Sequence, residues 1–368
     1  MTSQPLPPNE SPITIEGGPR QIESVATTER TGSAGQRETG EPSANRWKPV
    51  LRQSLGPLVL VAIVAFFGVL YPDTFLTRTN LETNVLEVVT FLIVVAAGQT
   101  VVMVVGDFDL SVGGVAALST AVTASFIATS TLDGQPNEPG SVLWAVILGL
   151  LIGVGCGVLN GWLVSYLGVL AFIVTLGMAQ VFTSLARYRV DGKPVFGLVE
   201  NNFVDVARGD VLGISNKIWI AAAVAGLVWF VLDRTVLGRR MYAVGGNPEA
   251  ARLSGINAAR VRLAAFAIAG LLAAAAGILQ AASTATANST APQGWMLQSI
   301  AGVFIGMAMF RNGRPNLPGT VLGVVLLRTI DNGLNFTSLN DFLQSAISGA
   351  AIVIAVLPPA ISRLRASR

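Results

Sequence analysis

Long apolar stretches follow one another along the chain from Leu55 onward, and short polar or turn-forming segments separate them. A transmembrane helix needs ~20 mostly apolar residues to cross a hydrocarbon core of ~30 Å. Ten stretches reach or approach that length: 55–70, 85–105, 110–129, 143–165, 169–186, 218–232, 263–282, 296–310, 317–334 and 343–357. The pattern therefore predicts an all-α fold, a polytopic transmembrane bundle of about ten helices.

Two uncharged blocks, residues 141–186 and 263–310, are each too long for one crossing. Turn-forming residues at 166–168 divide the first block, and those at 283–294 divide the second. Each block therefore supplies two spans.

Residues 1–45 differ from the rest, because they are rich in Ser, Thr, Pro, Gly and Glu and contain hardly an apolar run. Such a segment cannot bury enough apolar surface to offset its ordering entropy. We predict a disordered cytoplasmic tail over 1–45 and a transmembrane domain over 46–368. The tail is not expected to be a secretory signal, since the first apolar segment starts only at Leu55.

The amino-acid composition also indicates a membrane protein. Hydrophobic residues make up 52% and charged residues 12%, whereas soluble domains carry roughly 25% charge. Histidine is absent, which removes the commonest metal ligand and general base. The lone cysteine, Cys156, excludes an intrachain disulfide. We expect no metal, no bound cofactor and no nucleic-acid partner.

The distribution of Lys and Arg predicts the orientation, because short basic loops stay in the cytoplasm. With the N-terminus inside, fourteen basic residues fall in internal segments and six in external ones. Five of those six lie in one external connection, residues 187–217, where four acidic residues nearly balance them. Both termini are therefore predicted to be cytoplasmic, which requires an even number of spans.

Four glycines at a spacing of four, Gly149, Gly153, Gly157 and Gly161, form a stripe on the fourth span. Such a stripe lets another helix backbone approach closely. Packing within one chain explains it, and so does a contact between two copies.

Several polar residues interrupt the spans, and lipid cannot satisfy their hydrogen bonds. They are expected to face the bundle interior or a wet path, where they suit a neutral, hydrogen-bonding cargo: Gln99, Thr100, Asn160, Thr175, Gln180, Gln280 and Gln298. Each one alone is equally consistent with a bond between helices.

Asp107 and Asp109 stand in a break between the second and third spans, within the sequence GDFDLSVGG of residues 106–114. Carboxylates this close to apolar helices must reach water or accept hydrogen bonds. Ser111 is a candidate N-cap of the third span, with the Asp residues near its positive end. Helix capping and a role in transport both fit the pattern.

Residues 233–262 form the longest basic internal loop after the tail. Within it a short helix has both ends marked, since Asn247 suits the N-cap, Pro248 the first helical position and Gly255 the left-handed stop. Ala250, Leu253 and Ile256 form a small apolar face at helical spacing. A helix this short needs a surface to pack on, either its own bundle or a partner.

The ninth span contains Arg328 and Asp331, followed by Asn332, Gly333, Leu334 and Asn335. Residues three apart on a helix can meet. We expect a local ion pair at the external mouth.

These motifs resemble those of the permease subunits of ribose-type bacterial ABC importers, the branched binding-protein-dependent inner-membrane component family. Residues 106–113 are similar to the family signature Gly-Gly-Ile-Asp-Leu-Ser-Val-Gly, and residues 171–177 to Pro-Phe-Ile-Val-Thr-Leu-Gly. Residues 238–247 and 250–256 resemble its coupling-helix region, and 319–323 and 332–335 also recur there. The resemblance runs in order over residues 80–358. Asp107 departs from the usual Gly and Ala171 from the usual Pro, and the tail is unusually long.

The resemblance implies a monosaccharide or polyol permease of the bacterial inner membrane, working as a homodimer or with a related permease. Two cytoplasmic ATPase subunits and an external sugar-binding protein are its implied partners. ATPase coupling is then expected at Asn247, Pro248, Glu249, Ala250, Arg252, Leu253, Ser254, Gly255 and Ile256. Candidate substrate-path residues are Gln99, Asp107, Asp109, Ser111, Asn160, Phe172, Thr175, Asn332 and Asn335.

ATP hydrolysis is expected in the partner subunit, because the chain lacks a phosphate-binding loop. Its one Gly-Lys pair, Gly192 and Lys193, is followed by Pro194 and has Arg at position 187.

The alternative is an ion-coupled secondary transporter of a small neutral solute, with Glu87, Asp107, Asp109 or Asp331 as the proton or sodium site. An enzyme is not expected, since the spans contain only scattered carboxylates.

Overall fold

The computed structural model describes residues 47–129, 138, 140–198, 202–310, 313–340, 342–344, 346–350 and 353. The long helices are α1 (Trp47–Leu70), α2 (Asn80–Val104), α3 (Val112–Ile127), α4 (Val142–Ser165), α5 (Ala171–Arg189), α7 (Asn216–Arg234), α10 (Ala258–Thr284), α11 (Trp295–Met309) and α12 (Leu317–Asn335). Shorter elements are α6 (Asp205–Arg208), the antiparallel strands β1 (Asp210–Val211) and β2 (Ile214–Ser215), α8 (Val236–Gly246), α9 (Pro248–Leu253) and a 3-10 turn (Ala291–Gly294). The described chain is thus a helical bundle, as the sequence predicts.

Several helices have the length and the apolar composition of membrane-spanning helices. Among the described residues, four helices are long and apolar enough to cross a bilayer: α2, α4, α7 and α10. Three shorter apolar helices, Pro57–Leu70, α3 and α11, add to them.

Each of the first nine predicted spans coincides with a long helix, α1 to α5, α7 and α10 to α12. The two long blocks divide where expected, since α4 ends at Ser165 before Gly168 with φ +71°, and α10 ends at Thr284 before Ala285 with φ +57°. Part of the tenth span, residues 343–357, lies outside the described residues; 343, 344, 346–350 and 353 are helical. The predicted tail over 1–45 also lies outside them.

The glycine stripe of α4 packs against α10, which confirms the interpretation of packing within one chain. A side chain at Gly157 would collide with the Phe266 carbonyl, and one at Gly153 would collide with Ala274 and the Gly270 carbonyl. A Cβ at Gly161 would lie 3.0 Å from the Leu263 Cα. The two helix backbones therefore touch over about two turns.

Polar contacts at one end of the bundle tie neighbouring helices together. The Lys217 ammonium lies 2.6 Å from the Glu87 carboxylate and 3.0 Å from the Ser283 hydroxyl, and so joins α7, α2 and α10. Asn80 and Asn332 exchange two amide hydrogen bonds of 2.9 and 3.0 Å. The basic residues 233–262 lie at the other end, which we call the basic end.

Arg328 and Asp331 are not in direct contact, although the two charges are close enough to interact electrostatically. The Arg328 side chain donates to the backbone carbonyl of Asn84 at 3.2 Å. Asp331 accepts a hydrogen bond of 2.6 Å from Ser348. Each of the two side chains therefore forms its hydrogen bond with a residue distant in sequence rather than with the other.

Candidate functional site

The basic segment, residues 233–262, contains two helices where the sequence predicts one. Helix α8 was missed, because Arg239 and Arg240 mark the stretch as a polar loop. The Thr235 hydroxyl caps it by accepting from the Gly238 N–H at 3.3 Å. Helix α10 also begins earlier than predicted, at Ala258 rather than Leu263, since Asn257 caps it through the Arg260 N–H at 3.0 Å.

Helix α9 has the ends that the sequence predicts. The Asn247 side chain accepts from the N–H groups of Glu249 and Ala250 at 3.1 and 3.0 Å, and Pro248 occupies the first helical position. Gly255 follows the helix with φ +79°. Hydrogen bonds from the Arg252 guanidinium lower the pKa of Glu249, which keeps this carboxylate charged at the positive end of the helix.

The apolar face predicted for α9 is divided between the bundle and solvent. Ala251 is buried and Ile256 is half-buried against the core, whereas Ala250 is exposed. Leu253 points outward with 77% of its surface exposed. The helix is therefore fixed on its inner side while Leu253, Ala250 and Ser254 are left uncovered.

The basic segment is anchored to the bundle by α8. Met241 and Val244 are fully buried in the core, and the Tyr242 hydroxyl donates to the Pro315 carbonyl at 2.9 Å. Gly245 lies against the Val104 carbonyl, so closely that a side chain at 245 would collide with it. The basic segment is therefore in direct contact with the end of α2.

Beside that contact lies the break segment, residues 105–111, between α2 and α3. Asp109 is fully buried and its Oδ1 accepts from the Ser111 N–H at 2.8 Å and the Ser111 hydroxyl at 2.6 Å. Asn160 of α4 donates to the same hydroxyl at 2.7 Å. Ser111 occupies the N-cap position of α3, as predicted, but its side chain makes no cap hydrogen bond, because its hydroxyl donates to Asp109.

Asp107 does not join this network. Its carboxylate lies 3.3 Å from the Arg262 guanidinium at the start of α10, in ion-pair contact but without hydrogen-bond geometry. Asp107 is largely buried and Arg262 is partly buried. The pair links the break segment to the basic segment by charge.

A cavity of 410 Å³ opens between the break segment and the basic segment. Its lining includes Asp107, Phe108, Tyr242, Gly245, Phe304 and Arg314. The sequence does not predict Tyr242 or Arg314 here, since neither belongs to a polar pattern within a span.

The candidate substrate-path residues divide into separate groups. Asp109, Ser111 and Asn160 are bonded together, and Thr175 reaches the same region through the Phe108 carbonyl at 3.4 Å. Gln99 is buried in α2, and its amide has no hydrogen-bond partner within the described part of the chain. Phe172 is exposed, whereas Asn332 and Asn335 lie at the end opposite the basic end. The nine residues therefore do not form one cluster within the described part of the chain.

Comparison with known proteins places these features in a family. Residues 82–356 match the family described as branched-chain amino acid transport system, permease component. The ribose import permease protein RbsC of Bacillus subtilis (strain 168) is 36% identical over 307 residues, covering 83% of this chain and 92% of that protein. RbsC of Escherichia coli (strain K12) is 34% identical over 313 residues, covering 84% and 94%.

The D-allose transport system permease protein AlsC of Escherichia coli (strain K12) is 34% identical over 298 residues, covering 81% of this chain and 88% of AlsC. No solved structure gives a significant match. The chain belongs to this permease family. Its matched region begins within α2 and extends past α12, so the break segment and the basic segment both belong to the shared part of the permease.

Proposed function

We propose that this permease is the transmembrane subunit of an ATP-binding-cassette importer that moves a monosaccharide or related polyol across the bacterial plasma membrane. The observation that carries the proposal is helix α9, whose ends are capped and whose Leu253 is uncovered. An exposed apolar side chain on a capped helix at the basic end offers a binding surface for a partner protein that supplies energy.

The proposed partner at α9 is a cytoplasmic ABC ATPase, with Asn247 as cap, Pro248, Glu249 and Arg252 as the helix body, and Leu253 and Ser254 as contact residues. Gly255 and Ile256 fix the return of the chain to the bundle. ATP is hydrolysed by that partner, and the permease binds no cofactor. Closure of the ATPase pulls on α9, and α8 passes the movement to the break segment through Gly245 and Val104.

A sugar or polyol is the proposed cargo because the relatives are named for ribose and D-allose. The buried polar groups near the break segment, Ser111, Asn160 and Thr175, are uncharged and suit hydroxyl groups. A soluble sugar-binding protein is proposed to deliver the cargo outside.

The proposed topology has ten transmembrane helices, both termini and the tail in the cytoplasm, and the basic end inside. The long helices alternate in the order this requires, since α2 and α10 carry Glu87 and Ser283 at one end and reach Val104 and Arg262 at the other. Membrane lipid is proposed to surround the bundle.

Most of the carboxylates that could serve as the ion site of a secondary transporter already form an ion pair or a hydrogen bond. Glu87 pairs with Lys217, Asp107 with Arg262, and Asp331 accepts from Ser348. Nothing in the described part of the chain favours that alternative.

The proposal is tested by purifying the tagged permease from native membranes and identifying what co-purifies. An ABC ATPase is expected in stoichiometric amount, and deletion of the permease is expected to abolish uptake of labelled ribose or allose. Purification of a permease that transports alone, with no ATPase in the membrane extract, would contradict it.

A further inference from the structure

A groove of 490 Å³ opens on the side of the bundle near the end opposite the basic end. Helix α4 forms one wall, α7 stands across from it, and α10 forms the floor. The side chains that these three helices contribute are apolar and include Val142, Val146, Leu150, Ile220, Ile278 and Ala282. A sugar or polyol is therefore an unsuitable occupant, because its hydroxyl groups would lose their hydrogen bonds against these three helices.

The outer end of the groove is covered by α6 and the residues that lead into it. Phe203 and Val206 line this cover, and Phe203 is buried. Among the described lining residues, Asn202 alone has a polar side chain, and it lies on the same cover with φ +60°. The groove is thus apolar along its length and polar only at its outer end.

Two opposite charges stand beside that polar end. The Arg208 guanidinium donates to the Ser283 carbonyl at 2.7 Å, and Ser283 directly follows Ala282 of the groove floor. Arg208 is exposed, and the bond to Ser283 occupies only part of its N–H fork. Asp205, one turn earlier on α6, is also exposed and adjoins the lining residue Val206. An anion and a cation can therefore bind side by side at the mouth of the groove.

The groove has the depth of one leaflet of a bilayer. Its wall from Val142 to Leu150 extends about 12 Å along α4. The hydrocarbon of one leaflet is about 15 Å deep, half of the bilayer core. Trp144 and Trp219 are exposed in the first turns of α4 and α7, and tryptophan is enriched at the interface between membrane and water. The groove therefore begins at the interface and extends into the hydrocarbon beside the lipid tails.

We propose that the groove binds one acyl chain of a phosphatidylethanolamine of the outer leaflet, whose phosphate binds Arg208 and whose ammonium binds Asp205. An arginine fork suits a phosphate, and the Asn202 amide can donate to an ester carbonyl of the lipid. The connection before α4, residues 130–139, is too polar in sequence to fill the groove instead. Because the bound chain contacts α4, α7 and α10 together, it stabilises the outer end of the bundle. The inference rests on the proposed function in placing this end outside.

The test is native mass spectrometry of the tagged permease, delipidated in mild detergent and titrated with dioleoyl phosphatidylethanolamine. One lipid is expected to stay bound at collision energies that strip the surrounding lipid, and to raise the melting temperature. Arg208→Gln removes the charge and Ala275→Phe fills the groove, so each is expected to weaken this binding about tenfold. The matched controls are Arg189→Gln, another exposed arginine at the same end, and Ala222→Phe on the exposed face of α7, which are expected to bind like the unchanged protein.

Two further variants test the headgroup contacts. Arg208→Lys keeps the positive charge and is expected to retain most of the binding, which separates loss of charge from loss of the bond to Ser283. Asp205→Asn is expected to abolish the preference for phosphatidylethanolamine over phosphatidylglycerol, which has no ammonium. Val146→Phe serves if Ala275→Phe does not accumulate.

Three results would overturn the proposal. Equal retention of lipid by all variants means that the protein binds surrounding lipid only. Equal affinity of the unchanged permease for the two phospholipids removes the assigned headgroup contacts. Capture of a protein by a photoreactive residue in place of Leu143 in native membranes gives the groove to that protein. Sugar uptake and ATPase pull-down are measured with the same variants, so failure of lipid binding with both retained leaves the proposed function standing.

Discussion

At the residue scale, a short chain of hydrogen bonds organises the break segment. The Asn160 amide donates to the Ser111 hydroxyl, which donates in turn to the Asp109 carboxylate. All three residues are fully buried, so each bond forms in a medium of low dielectric, where it is stronger and where losing it costs more. This chain fixes α4 against the start of α3.

Replacement of Asn160 tests that chain. Asn160→Ala removes the bond to Ser111 and leaves a buried hydroxyl with one partner fewer, so stability is expected to fall by about 1–3 kcal/mol. The measurement is the melting temperature of the purified permease in detergent. Thr284→Ala, at an exposed hydroxyl near the end of α10, is the control and is expected to melt like the unchanged protein. Equal melting of both variants would show that the Asn160 bond contributes nothing.

The sequence indicated which residues need hydrogen bonds, but not which distant residues contact them. The two Asp residues next to apolar helices predicted hydrogen bonding or hydration, and Asp109 is bonded as expected. The distant partners were not predictable, because Asn160, which donates to Ser111, is far from the break segment in sequence, and Arg262, which pairs with Asp107, is farther. Gln180 was expected to face the bundle interior or a wet path, and it is exposed in the single chain.

At the element scale, close packing of α4 on α10 sets the geometry of the bundle. Gly157 and Gly270 bring the two backbones into contact, and a side chain at either would displace the other helix. The spacing of the stripe was visible in the sequence. Its partner helix was not, because a glycine stripe specifies close approach without specifying the surface that approaches.

Two glycines of α4 allow a matched test of this packing. Gly157→Ala places a methyl group against the Phe266 carbonyl, and overpacking of this kind typically costs about 1–3 kcal/mol. Gly155→Ala is the control, since nothing lies within 4 Å of a Cβ at Gly155. We expect a lower melting temperature and lower detergent-extracted yield for Gly157→Ala alone. Equal loss in both variants would contradict the α4–α10 contact as the cause, because alanine favours a helix more than glycine does and Gly155 faces open space.

Helix α9 is the element whose proposed role depends most on a single side chain. Leu253→Asp places an unpaired charge in the proposed ATPase contact, where truncation of a buried leucine alone can cost about 2 kcal/mol at a hot spot. The variant is expected to fold normally, because Leu253 is exposed, and to lose ATPase association and uptake together. The measurements are melting temperature and ATPase pull-down.

Leu212→Asp is the control for that variant. Leu212 lies in the turn between β1 and β2 with 88% of its surface exposed, at the end opposite the basic end. ATPase pull-down is expected to be unchanged. Normal ATPase binding by folded Leu253→Asp would contradict the coupling role, and misfolding of that variant would favour a packing role within the permease.

At the scale of the whole molecule, the orientation in the membrane decides which end of the bundle faces the cytoplasm and which end faces outward. Fourteen internal against six external basic residues predict that α9 faces the cytoplasm and the β1–β2 turn faces outward. The sequence shows how the charges are distributed along the chain, but it does not show which loops lie together. The structure brings the basic segment, the break segment and Arg314 to one end.

Thiol labelling tests this orientation. In a Cys156→Ala background, Leu212→Cys is expected to react with an impermeant maleimide in intact cells. Ser254→Cys is expected to react only after the membrane is opened, because it lies at the basic end. Both residues are exposed on the surface of the chain, so a difference in labelling reports the side of the membrane and not burial in the fold. Labelling of Ser254→Cys from outside would reverse the proposed topology.

In the proposed function, ATP hydrolysis in a partner subunit drives transport through this permease. The most direct measurement is uptake of labelled ribose or allose by vesicles that hold the permease with its ATPase and binding protein. We expect accumulation to require ATP on the ATPase side and to persist when ionophores collapse the proton and sodium gradients. Uptake that stops when the gradients collapse at constant ATP, or that an imposed gradient drives without ATP, would contradict it.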